Sequence, residues 1–145
     1  MKRFFMMFAI FTLMISSACS VVDEVNKSVN YVDESTSYLT SVSDFAEQAP
    51  DLIQTAVTDE TSRDELEKQL QSLRQQMEEF NNIEAPTIAE DVHQDIVTQN
   101  EAAIEKIDQL YKDGELVVEE LQNSEIVQTL EDISSLMNTV QSLEL

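Results

Sequence analysis

From Leu66 to Phe80 the apolar residues fall at Leu66, Leu70, Leu73, Met77 and Phe80, at intervals of four, three, four and three. An α-helix turns once in about 3.6 residues, so this spacing keeps all five side chains on one seam; a strand would scatter them over both faces. The chain therefore needs partner helices to cover that seam. Its composition supplies few interruptions, because the 145 residues include one Gly and two Pro.

The same periodicity marks three further segments. Val22, Val25, Val29, Val32, Leu39, Val42 and Phe45 or Ala46 share one face of a helix predicted to end near Pro50, ahead of a short helical turn over 51–57. The helix of the 66–80 seam is predicted to start in a capping box, Ser62-Arg63-Asp64-Glu65, with Asp64 and Lys68 paired on its outer side. Past a connection over 81–86, a second capping-box pattern, Thr87-Ile88-Ala89-Glu90, opens a third helix carrying Ile88, Val92, Ile96, Ala103, Ile107 and Leu110. Gln99 and Asn100 interrupt that stripe, and Gly114 is predicted to end the helix as a left-handed C-cap. A short helix over 115–121 follows. Asn123 or Ser124 then caps a last helix carrying Ile126, Val127, Leu130, Ile133, Leu136, Met137, Val140 and Leu143. The predicted fold class is all-α, an antiparallel up-and-down bundle of about four helices, with an elongated coiled-coil hairpin as the alternative.

The first 18 residues differ from the rest. Lys2 and Arg3 precede an apolar run from Phe4 to Ile15, and Ser16-Ser17-Ala18 lead directly to Cys19. Basic, apolar and small residues in that order are a secretory signal. As a helix the apolar run would extend about 18 Å, short of the roughly 30 Å hydrocarbon core, so a cleaved signal peptide over 1–18 is expected rather than a span. Ile15-Ser16-Ser17-Ala18-Cys19 resembles the lipobox of bacterial lipoprotein precursors, in which Cys19 becomes the lipidated N-terminus. Ser16 departs from that pattern by standing where an aliphatic residue is usual. Cys19 is the only cysteine and has no intramolecular disulfide partner. The expected organisation is a signal peptide (1–18) followed by an acidic helical domain (19–145), lipid-anchored through Cys19; the alternative is a secreted form with a free thiol.

Charge narrows the partners. Removing Lys2 and Arg3 with the leader takes the formal charge from −21 to −23, because all 29 acidic residues remain. Such a surface repels nucleic-acid phosphates and anionic headgroups, which leaves the acyl chain as the means of membrane attachment. No catalytic constellation stands out. His93, the single histidine, lies three residues after Glu90, one half of a di-iron pattern that needs two copies. It is expected on a helix surface or half buried. Glu78-Glu79 and Glu119-Glu120 lack the Gly-bearing loop of a Ca²⁺ site and are read as solvated faces. No Ser sits in a nucleophile-elbow motif, and Met77 and Met137 are expected to fill the core. No cofactor, metal or small-molecule substrate is expected.

Three stretches, Ser20 to Ser28, Ala85 to His93 and Asn123 to Leu130, together resemble a family of small, uncharacterised lipoproteins from bacilli. The resemblance implies a lipid anchor in a monoderm envelope and transfers no catalytic or binding residue. The expected function is thus a non-enzymatic, membrane-anchored helical module on the extracytoplasmic face that meets an envelope protein. An acidic binder of envelope cations or cationic peptides is the alternative.

Overall fold

The computed structural model describes residues 18–143, with side chains from Asn26 to Leu143. The leader over 1–17 and the last two residues lie outside that range. The elements are helices α1 (Ala18–Ala56), α2 (Glu60–Asn81) and α3 (Glu90–Gln109), strands β1 (Tyr111–Lys112) and β2 (Glu115–Leu116), and helices α4 (Val118–Gln122), α5 (Ile126–Ser135) and α6 (Met137–Gln141).

Contacts between elements close a ring. α1 packs on α2, α2 on α3, α3 on α5, and α5 with α4 and α6 return to α1. Directions follow from side-chain pairs. Arg74 and Asn81 of α2 bond to Asp108 and Asn100 of α3 respectively, so these helices are antiparallel. Tyr31 reaches His93 and Tyr38 reaches Asn100, both across 62 positions, so α1 and α3 run parallel and in register. The up-and-down bundle is therefore the observed architecture, the fourth side being broken into α4–α6, and the coiled-coil hairpin is set aside. The predicted seam is the centre of the core: Leu66, Leu70 and Met77 are 0% exposed, and Leu73 and Phe80 are buried beside them.

Several predicted boundaries move. α1 does not end near Pro50 but continues through it to Ala56. Pro50 is on the solvent side, while Ala49, Ile53 and Ala56 continue the buried face, so packing outweighs the roughly 3 kcal/mol that an interior Pro costs. The Ser- and Thr-rich stretch stays helical because its hydroxyls bond the carbonyls one turn back, as in Thr40 Oγ1 to Thr36 O (2.8 Å) and Ser41 Oγ to Ser37 O (3.2 Å). The cap of α2 lies one turn earlier than predicted. The Asp59 carboxylate accepts from both the Ser62 amide and the Ser62 hydroxyl at 2.7 Å, which holds its pKa below the ordinary carboxylate value. Asp64 and Lys68 form no ion pair.

The second capping box does not form either. Thr87–Ala89 make a single 3₁₀ turn, closed by Ala89 N–H donating to Pro86 O (2.8 Å), and α3 starts at Glu90 without a side-chain cap. Gly114 is not a helix C-cap: α3 has already ended, and Asp113 (φ 54°) and Gly114 (φ 87°) form the two-residue turn of a small hairpin that pairs Tyr111 with Leu116 and Lys112 with Glu115. Both turn residues having positive φ is the type I′ geometry that Asp-Gly favours. The short helix begins at Val118 rather than 115. Ser124 does serve the last helix, its Oγ accepting from Ile126 N–H at 3.4 Å. That helix then breaks at Leu136, where Ser134 and Ser135 hydroxyls bond Leu130 O and Asp132 O and compete with the helical ladder. Two residues of the predicted apolar stripes, Val29 and Ile88, are exposed, because they sit at the end of the bundle where no neighbouring helix covers them.

Candidate functional site

Cys19, the predicted lipid-attachment residue, falls in the first turn of α1. Its side chain and the preceding signal segment lie outside the described residues. Because α1 and α3 run parallel with an offset of 62, Glu90 at the start of α3 is level with Ser28. The first turns of α1 therefore precede the level at which α3 begins. Among the described residues, no helix is long and apolar enough to cross a membrane.

Just inside that end lies a cluster of aromatic and amide groups spanning three helices. Tyr38 stacks on Phe80 (ring centroids 4.5 Å apart, 22° between planes), and Tyr31 and His93 pack around the same ring at 6.4 and 5.2 Å. The Tyr31 hydroxyl lies 3.3 Å from His93 Nδ1. The Tyr38 hydroxyl donates to Asn100 Oδ1 (2.5 Å), and Asn100 Nδ2 donates to Asn81 Oδ1 (2.8 Å). Asn100 is 0% exposed, so both halves of its amide are satisfied inside the protein. Burial raises the pKa of both tyrosines and lowers that of His93, which keeps the phenols and the imidazole neutral near pH 7. His93 is half buried, within the range expected for it. Asn100 had a visible signal: a polar residue on a stripe position between Ile96 and Ala103 must either break the seam or bring a partner into it. Tyr38, its partner, falls between the aliphatic stripe positions of α1 and was missed.

A shallow groove runs along the outer side of the α1–α2 contact. It consists of two adjoining depressions that share Ser41 and Gln76, of about 320 and about 280 Å³. Ser37, Tyr38 and Ile83 complete the first and Gln48, Gln69 and Ser72 the second, with Phe45, Leu73 and Phe80 beneath and only Asp44 and Glu79 contributing charge. Elsewhere Arg74 bridges Glu78 (2.9 Å) and Asp108 (2.8 Å), and Lys112 pairs with Glu120. Glu90 and His93 acquire no further ligand-type neighbours, and no group of three or more His, Cys, Asp or Glu side chains converges among the described residues.

A family of unknown function, DUF6376, matches residues 31–143, the span of the bundle. The uncharacterized lipoprotein YybP of Bacillus subtilis (strain 168) is 31% identical over 134 residues, which covers 90% of this chain and 90% of that protein. In a chain of 145 residues a stretch of that length has to include Cys19. No solved structure matches. The resemblance to small lipoproteins from bacilli is thereby borne out, and the coarse description, a lipoprotein of unknown molecular activity, holds for this chain. The chain belongs to DUF6376, a family of unknown function.

Proposed function

We propose that this lipoprotein is a non-enzymatic interaction module: signal peptidase releases residues 1–18, acyl chains on Cys19 hold the chain on the extracytoplasmic face of the bacterial membrane, and the α1–α2 groove receives an envelope protein. The groove carries the reading. On a chain with 29 acidic residues, a strip of Ser, Gln and apolar side chains with two carboxylates at its margins is a surface where a partner meets little charge to desolvate. Its polar groups bond mostly to their own helices, as Gln48 does to Asp44 O and Gln76 to Ser72 Oγ, which suits a protein surface sliding over them better than a small ligand needing convergent donors. The occupant this chemistry fits is an uncharged segment that presents both polar and apolar side chains.

A photocrosslinking residue incorporated at Ser41 or Gln76 of the anchored chain should give one discrete adduct, absent when the same residue replaces Gln128 on the exposed side of α5. Equal labelling from all three positions, or none, would reject the groove. Anchoring is tested separately: Cys19→Ser should leave the membrane fraction or stay unprocessed. The −23 charge favours a second reading, diffuse binding of cations or cationic peptides. Calorimetry with a polycationic peptide would then register heat that disappears as salt is added, and an absence of heat at low salt would eliminate it.

A further inference from the structure

The single glycine of the chain directly follows Asp113, and both residues are exposed at the tip of the β1–β2 hairpin. Aspartate before glycine is the pairing in which a carboxyl group most readily reacts with its own backbone, because no Cβ shields the glycine nitrogen. The structure leaves that nitrogen open to approach: a Cβ added at Gly114 would meet nothing within 4 Å. Every other aspartate precedes a residue with a side chain. Among the described residues those others, Asp59 apart, also stand within helices, where the hydrogen-bond ladder fixes the backbone.

We propose that Asp113-Gly114 is a site of spontaneous backbone modification, at which aspartate converts to isoaspartate through a succinimide. The Gly114 nitrogen attacks Asp113 Cγ; the N–Cγ bond forms, the bond from Cγ to its hydroxyl breaks, and the amide proton leaves with that hydroxyl as water. Water then opens the ring. Addition at Cγ restores aspartate, whereas addition at the Asp113 backbone carbonyl leaves the chain running through Cβ and Cγ. One water is lost and one is gained, so no oxidant or other reactant is needed.

Ring closure needs Asp113 to rotate out of its turn conformation, and the hairpin permits this. One residue pair, Lys112 with Glu115, holds the tip, and an isolated two-stranded hairpin is marginal in water. Behind the tip, Leu116 is buried and Val117 N–H donates to Leu110 O (2.8 Å), so the tip opens while the base stays docked. Isoaspartate adds one atom to the backbone, which a two-residue turn cannot absorb without giving up the Lys112–Glu115 pair. Lys112 also pairs with Glu120 of α4, so the modification loosens the link between hairpin and helix.

The test incubates the folded full chain in heavy-oxygen water for the time that converts half of the same chain unfolded in urea. Digestion in ordinary water and mass spectrometry of the separated peptides then read the outcome. Each ring opening adds one heavy oxygen, so the peptide spanning Asp113 should gain label and divide into two peaks of equal mass, while peptides with the other aspartates stay unlabelled. Gly114→Ala should lose most of the label, although it strains the turn at φ +87° and makes it open more readily. Shielding of the nitrogen lowers the label, whereas looseness alone would raise it. An unlabelled Asp113 in the folded chain, equal label at the other aspartates, or undiminished label in Gly114→Ala overturns the proposal.

Discussion

The chain Tyr38–Asn100–Asn81 makes a quantitative prediction, because each link has a known cost when cut. Removing the Tyr38 hydroxyl by Tyr38→Phe leaves Asn100 Oδ1 without a donor at a residue that is 0% exposed. Such an orphaned acceptor costs about 1–3 kcal/mol. Asn100→Leu, of similar volume, instead strands the Tyr38 hydroxyl, whose residue is 7% exposed, at a cost in the same range of about 1–3 kcal/mol less whatever the leucine gains by burial. Asn81 is half buried; it keeps its Asn100 donor in Tyr38→Phe and recovers water in Asn100→Leu. The double variant removes both polar groups at once and sets two apolar side chains against each other, so it should be more stable than either single variant by about 1–2 kcal/mol. Urea unfolding followed by circular dichroism reads this directly. With a urea slope of about 1.5 kcal/mol per molar, a loss of about 2 kcal/mol moves the midpoint down by about 1.3 M, and the double variant should win back most of that shift. Additive losses, with the double variant the least stable of the four, would refute the coupling and with it the claim that the amide is held by the tyrosine.

Three other perturbations have signed outcomes. Burial lowers the His93 pKa in the folded chain, so between that value and the unfolded value of about 6.5 the unfolded chain binds more protons; the stability difference between wild type and His93→Gln should therefore fall as pH drops through about 6.5 and stay level above it, measured by thermal melts at fixed ionic strength. Gly114→Ala should cost about 1 kcal/mol although nothing lies within 4 Å of the new Cβ, because the cost comes from φ +87° alone, whereas Asp113→Asn, which tolerates positive φ, should leave the melting temperature unchanged. Pro50→Ala should stabilise the protein by up to about 3 kcal/mol by restoring an amide donor inside α1, and a lower melting temperature would mean that the bend or the packing at Pro50 is itself needed.

What could be read in advance depended on whether one physical effect dominated locally. The 66–80 seam is legible because burying five large side chains overrides everything else in α2, and all five are buried as the spacing requires. Boundaries failed where two signals of similar size competed. Ser62-x-x-Glu65 and Asp59-x-x-Ser62 are both reasonable caps a turn apart, and the carboxylate took the position nearer the end of α1. At Asp113-Gly114, a left-handed C-cap and a type I′ hairpin both ask for positive φ; the choice was made at a distance, by burial of Leu116 against the core. Val29 and Ile88 follow their stripes yet stay exposed, since periodicity says which face a residue is on and not how far along the helix its neighbours reach.

The candidate surfaces were harder to read than the core for a related reason. A catalytic site concentrates rare residue types, and a scan of the sequence finds them. A contact surface on a strongly charged protein is instead marked by what is withheld from it. Charged residues are depleted where a partner excludes water, because each would have to be desolvated or paired. Here 26% of residues are charged, yet the α1–α2 groove carries only two carboxylates among its lining. In the linear sequence those neutral positions are Ser and Gln set among acidic neighbours, indistinguishable from ordinary helix surface. Only folding collects them, by bringing Ser37 and Ser41 of α1 beside Gln76 of α2. A glutamate introduced at Gln76 therefore tests the proposed reading: it should abolish the photocrosslinked adduct from Ser41, and an undiminished adduct would show that the groove tolerates the charge a docked partner excludes.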